Sequence, residues 1–236
     1  MNEIREIHGI TPLDDDTRIA RYFNEKRLID IIDKQEIWFS NIEEFHDKRE
    51  RTIPLSFFIG VPDTYKQNYL TIQELKNEKI KAYVTCWAKF PSENYALWKI
   101  YDKESRGACL VTTVGKLKAA LNRNDMFLCE VNYIDYNDKQ QRVYLPWVIY
   151  DPDAVPNVMR VSEKFKIRPY KYEDEIRGII YLNEDKKGFP VKVNLQSLID
   201  EVYISPFSNK EQTEITLELL KSRFDERIIR ISEIIE

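Results

Sequence analysis

Glycine, histidine and cysteine are scarce in this chain, and each scarcity removes a class of chemistry. The 236 residues include six glycines, at 9, 60, 107, 115, 178 and 188, and no two lie closer than eight residues. A G-x-G-x-x-G dinucleotide turn, a P-loop and a G-x-S-x-G nucleophile elbow each need close-set glycines for backbone approach or a strained turn, so all three are excluded. The two histidines, His8 and His46, exclude an H-E-x-x-H zinc helix and any His-rich metal cage. Cys86, Cys109 and Cys129 are odd in number and lack C-x-x-C spacing, which argues against a disulfide framework or a cysteine zinc site. All three sit in apolar, strand-like stretches and are expected to be reduced, buried thiols.

Long apolar runs are missing as well. None approaches the ~18 residues that a membrane span requires. Met1 is followed by Asn-Glu-Ile-Arg-Glu, without a basic and then apolar leader, so the expectation is a soluble, cytoplasmic protein with no membrane partner. Lys and Arg number 36 against 40 Asp and Glu, a net charge of −4. That balance excludes a polybasic nucleic-acid coat and leaves room for a local basic groove. With 43% hydrophobic residues, the chain can build one sizeable core, and residues 1–236 read as a single domain.

The pattern along the chain begins strand, helix, strand. Residues 18–23 alternate as a strand, and Asn24 can cap a helix whose Leu28, Ile31 and Ile32 share one face. Residues 36–40 form a short strand, with Ser40 and Glu43 as a capping box for a single turn. Thr71 and Glu74 do the same for a helix near 72–80. Further strands are expected at 82–88, 107–112, 127–136, 175–182, 201–205 and 227–231. Helices are expected near 93–103, 115–121 and 209–223, the last with an apolar face of Ile215, Leu217, Leu219 and Leu220. Pro152 and Pro156 make 151–161 a loop or broken helix. Strands and helices mix without βαβ alternation. This favours an α+β fold whose sheet is mostly antiparallel, with room for a split, flanked by helices.

Chemistry concentrates in three places. In Lys171-Tyr-Glu-Asp-Glu-Ile-Arg177, strand alternation puts Glu173, Glu175 and Arg177 on one face. Two carboxylates entering an apolar stretch are costly to bury unless paired or used. They are read either as a solvated Glu–Arg strand start or as a pair that stabilises positive charge or binds sugar hydroxyls. Trp98 and Tyr101 share a helical face and are expected to be buried as core, the alternative being an exposed ligand platform. Arg21-Tyr22-Phe23 places a basic and aromatic stretch ahead of the first helix.

Together the three clusters resemble the bacterial domain-of-unknown-function 2971 family over roughly residues 18–231. The resemblance is carried by Ala20-Arg-Tyr-Phe23, Glu36-Ile-Trp-Phe-Ser40, the block Leu97-Trp98…Tyr101…Arg106-Gly-Ala-Cys-Leu110, and Tyr172-Glu-Asp-Glu-Ile-Arg177. Two positions depart from it. Phe45-His-Asp-Lys48 replaces Phe-Asn-Asp-Pro, and Cys86-Trp-Ala88 replaces Cys-Phe-Ser with loss of a hydroxyl. The motif order is also similar to that of ADP-ribosyltransferases. That similarity implies NAD as a substrate bound by Arg21 and Tyr22, an aromatic role for Trp98 or Tyr101, and an essential Glu175 with Glu173 as its helper. It implies an unknown acceptor, with nucleic acid as one candidate, a place in bacterial defence, and no metal. Two other readings stand beside it. One is a non-enzymatic interaction module of a defence system. The other is a metal-dependent nuclease built on Asp47, Glu173 and Glu175.

Overall fold

The computed structural model describes residues 13–47, 81–135 and 165–234. The helix expected near 72–80 and the Pro152/Pro156 loop lie outside the described residues. Within them, β1 (Arg18–Phe23), α1 (Glu25–Lys34) and β2 (Glu36–Asn41) follow the expected order. After these come β3 (Lys81–Lys89), α2 (Tyr95–Tyr101), β4 (Ala108–Thr113), α3 (Val114–Leu121), β5 (Met126–Glu130), β6 (Asn132–Ile134) and β7 (Phe165–Ile167). The chain then forms β8 (Glu175–Leu182), β9 (Gly188–Lys192), α4 (Leu195–Leu198), β10 (Glu201–Ile204), α5 (Lys210–Lys221) and β11 (Ile229–Ile231). The fold is α+β, with a nine-stranded, mostly antiparallel sheet and a separate two-stranded sheet, β6–β7.

The large sheet forks at β3. Along one edge β3 pairs with β8 over its length, from Lys81↔Leu182 to Ala88↔Glu175, and β8 carries β5 on its far side. Along the other edge, Ala88 and Lys89 pair with Ala20 and Ile19 of β1. Val84 and Tyr83 pair with Ser40 and Asn41 of β2. Thr85, Cys86 and Trp87 lie between these two limbs. One limb runs β1-β4-β10-β11 and the other β2-β9.

The two faces of the sheet differ. On one, Ile19, Phe23, Tyr83, Trp87, Ile176 and Ile180 join the main core with Leu28 and Ile32 of α1. On the other, β3 presents Ala82 and Val84 to one apolar cluster and Ala88 to a second, which contains Ala20, Tyr22 and Trp98. Between these two clusters the same face carries Cys86, Arg177 and Glu175. A polar group thus sits between two patches of packed hydrocarbon, on the strand at which the sheet divides.

Local corrections have local causes. The cap after β2 is Asn41, whose side chain accepts from Glu43 N, so the turn begins one residue past the Ser40 box. The expected 127–136 strand divides at Val131, whose N–H donates to Glu175 O at 2.8 Å. On α5, Ile215 is 52% exposed while Thr216 and Leu220 are buried. Ile215 therefore does not belong to the apolar face read from the sequence.

Trp98 has no exposed surface, meets the Tyr22 ring edge-to-face at 5.0 Å and donates from Nε1 to Glu93. Trp98→Ala is expected to cost about 3–5 kcal/mol, because it leaves a cavity as well as removing buried aromatic surface. Chemical denaturation of the variant measures that loss.

Candidate functional site

Glu175 opens β8 and is 4% exposed. Arg177, two residues on and fully buried, grips it in a fork, Nε donating to Oε1 at 2.8 Å and Nη2 to Oε2 at 3.0 Å. Strand alternation makes this pair, because residues i and i+2 share a face. Burial alone would raise the Glu175 pKa, but the Arg177 guanidinium, Lys166 and a hydrogen bond from the Cys86 thiol reverse the shift and bring it down to about 2. The carboxylate is therefore ionised at any physiological pH. Cys86 behaves oppositely, since burial and the Glu175 charge push its thiol well above the ordinary range.

Glu173 does not share the strand. It ends a six-residue 3₁₀ helix (Arg168–Glu173), and Asp174 then adopts the left-handed conformation at φ 39°, which breaks the alternation read from Glu-x-Glu. Glu173 reaches the cluster by another route. Its Oε2 accepts from Lys166 Nζ at 2.5 Å, and the same ammonium lies 3.5 Å from Glu175 Oε2. Desolvation raises the Glu173 pKa, the Glu175 charge adds to the rise, and Lys166 opposes it. Its side chain is 14% exposed against 4% for Glu175, so it is the more accessible carboxylate.

Helix α2 brings the aromatic component. Asn94 caps it, accepting from Ala96 N and Leu97 N. The same residue donates from its backbone to Tyr22 Oη and from Nδ2 to Tyr172 O. One residue thus ties α2 to β1 and to the turn bearing Glu173. Tyr101 lies three and four positions from Trp98 and Leu97, both buried, and so on the same helical face. It is nevertheless 41% exposed, contrary to the burial expected from spacing. Desolvation raises its hydroxyl pKa, and Glu173, Cys86 and Glu175 raise it further. Solvent therefore reaches the ring at a place where the hydroxyl senses the carboxylate cluster.

Arg21 stands at the fork. It alternates with Ile19 and Phe23, which point to the main core, and its Nη1 donates to Thr85 Oγ1 at 3.1 Å. It is half-buried, and its guanidinium stacks over Phe23 at 5.4 Å. Desolvation lowers its pKa, and the Cys86, Tyr101 and Glu175 groups counter that effect. Among the described residues no carboxylate forms an ion pair with it.

The structure thus gathers Tyr101, Glu173 and Glu175 near the start of β8, whereas Arg21 leaves β1 on the Ile19–Phe23 face, opposite to that of Glu175, and bonds Thr85 at the fork. The fold does not bring Tyr22 or Trp98 to the surface. Both rings are buried in packed hydrocarbon, so neither offers a face to a ligand, and the ligand-platform reading of Trp98 is corrected. Sequence reasoning missed Lys166, Tyr133, Cys86 and Asn94 as members of the cluster. Only Asn94 carried a local signal, as a cap ahead of Leu97 and Trp98. The nuclease constellation fits poorly, because the oxygens of Glu173 and Glu175 are engaged by Lys166 and Arg177. Among the described residues no group of three His, Cys, Asp or Glu is arranged to hold a metal.

Comparison with known proteins adds no relative: no family model, curated protein or solved structure matches this chain.

The thiols give a direct check on this environment. Cys86, Cys109 and Cys129 are all free, and burial raises the pKa of Cys86 and Cys109. Thiol titration in denaturant is expected to return three groups, and the native protein is expected to react far more slowly because little thiolate is present.

Proposed function

We propose that the fork of the sheet is a site for cleaving NAD, with transfer of ADP-ribose to an acceptor or to water. The observation that carries this reading is Arg21, a half-buried guanidinium with no carboxylate partner among the described residues. The Arg21 guanidinium donates to Thr85 at the fork, where the Cys86, Tyr101 and Glu175 groups bear on its charge. A guanidinium without a carboxylate partner among the described residues suits a diphosphate, which it binds through paired hydrogen bonds. The exposed Tyr101 ring gives the nicotinamide a surface to stack on.

The bond that breaks is the glycosidic bond from ribose to nicotinamide. Nicotinamide leaves neutral with the bonding electrons, and the ribose passes through an oxocarbenium-like state. An oxygen or nitrogen of the acceptor, or of water, then bonds to that carbon and loses its proton. Negative charge fixed in a desolvated site stabilises the transient cation more than the ground state. Glu175, ionised and held by Arg177, supplies the fixed charge. Glu173, the more accessible carboxylate, grips a ribose hydroxyl. This division departs from the resemblance, which made Glu175 the essential carboxylate and Glu173 its helper, and it follows from burial.

Chromatographic assay of nicotinamide after incubation with NAD tests the reading. Release that is unchanged by a chelator is the expected result. No release above a heat-treated control would overturn it, and release that a chelator abolishes would contradict the metal-free chemistry.

A further inference from the structure

The small β6–β7 sheet contributes two groups to the start of β8 that the chemistry above leaves without a part. Its strands pair in parallel with Tyr133 opposite Lys166, so the two side chains emerge side by side on one face. The Tyr133 hydroxyl accepts the Glu175 N–H at 2.9 Å. The Lys166 ammonium, on a residue only 7% exposed, lies over the Tyr170 ring at 4.7 Å and bridges Glu173 and Glu175.

We infer that Lys166 is a positioning residue, whose ammonium favours the charged form of the Glu173 carboxylate and aims it beside Glu175, while Tyr133 anchors the backbone from which Glu175 projects. The physical need is plain. Two carboxylates sharing a desolvated site cannot both stay charged unless a cation lies between them. The groups whose charge bears on Glu173 are Lys166, Glu175 and Arg177, with the Tyr101, Tyr133 and Tyr172 hydroxyls around it. Arg177 grips Glu175 from within β8, whereas Lys166 contacts both carboxylates. The turn that carries Glu173 is held in place by an ion pair from a different sheet.

This inference rests on the proposed reading for its kinetic consequence but not for its structural one. The test is carboxyl ¹³C NMR titration of Glu173 in the wild type, Lys166→Met and Lys166→Arg. Lys166→Met is expected to move the Glu173 titration to higher pH, and Lys166→Arg to return most of the shift. The acid limb of nicotinamide release should move the same way in each variant. A folded Lys166→Met protein with an unchanged Glu173 titration would overturn the inference. Should Lys166→Met not fold, Glu173→Gln reads the same coupling from the other side. The Lys166 titration should then fall, and an unchanged Lys166 titration overturns the inference equally. A Glu173 titration that moves as expected, in a protein that releases no nicotinamide, supports the positioning role and removes only the NAD reading.

Discussion

Arg177→Met is expected to destabilise the protein by about 3–5 kcal/mol, the range found when one partner of a buried ion pair is removed. Arg177 has no exposed surface and holds both Glu175 oxygens, at 2.8 and 3.0 Å. Methionine replaces much of its hydrocarbon volume, so the loss reports the charge left behind. Glu175→Gln is expected to be costly for the reciprocal reason, since it leaves a buried guanidinium facing a neutral amide. A Glu175 with a catalytic part alone would make that nearly isosteric substitution almost silent for folding; the fork with Arg177 makes it costly. Replacing both residues with Met should cost less than the sum of the single changes, and a double-mutant cycle by urea denaturation measures the difference. The pH dependence has a definite sign. The Glu175 pKa falls from 4.5 to about 2 on folding. Its contribution is therefore complete above about pH 4.5 and is lost as pH falls through 2. A flat stability profile across that window, in a protein that remains two-state, would contradict the pairing.

Glu173→Gln should produce the opposite profile, with a large effect on turnover and a small one on folding. Because desolvation raises the Glu173 pKa, ionising it costs the folded state free energy, and that cost grows as pH rises through its folded pKa. Removing the charge relieves that cost while giving up the Lys166 ion pair. The net change in stability at neutral pH is expected within about 1 kcal/mol. On the proposed chemistry kcat should fall by about 10²–10³, or roughly 2.7–4 kcal/mol, comparable to the loss of one oxyanion-hole donor. Rates per folded molecule that stay within about twofold of wild type would remove Glu173 from the site.

Much of this geometry is readable from residue order, and the rest is not for physical reasons. The strand bearing Arg21 announces itself by alternation and those bearing Cys86 and Glu175 by β-rich apolar runs, and they lie in the order β1-β3-β8. The fork between them is invisible, since it depends on which four residues of β3 pair with β1 and β2. Glu173 and Glu175 seem to share a face until Asp174 turns left-handed, a local event that Asp tolerates but does not signal. Tyr101 follows the buried helical spacing and stays exposed because α2 ends there. Lys166 sits in a three-residue strand, too short for any periodicity to mark it.

The central claim is that the Arg21 guanidinium at the fork is an anion site for a dinucleotide. Isothermal titration of ADP-ribose into the wild type and Arg21→Met, at two salt concentrations, tests it most directly. The account predicts measurable binding by the wild type that weakens with salt, and at least about a tenfold loss in Arg21→Met, equivalent to about 1.4 kcal/mol. Equal affinity in the two proteins, or no binding by a folded wild type, would contradict it.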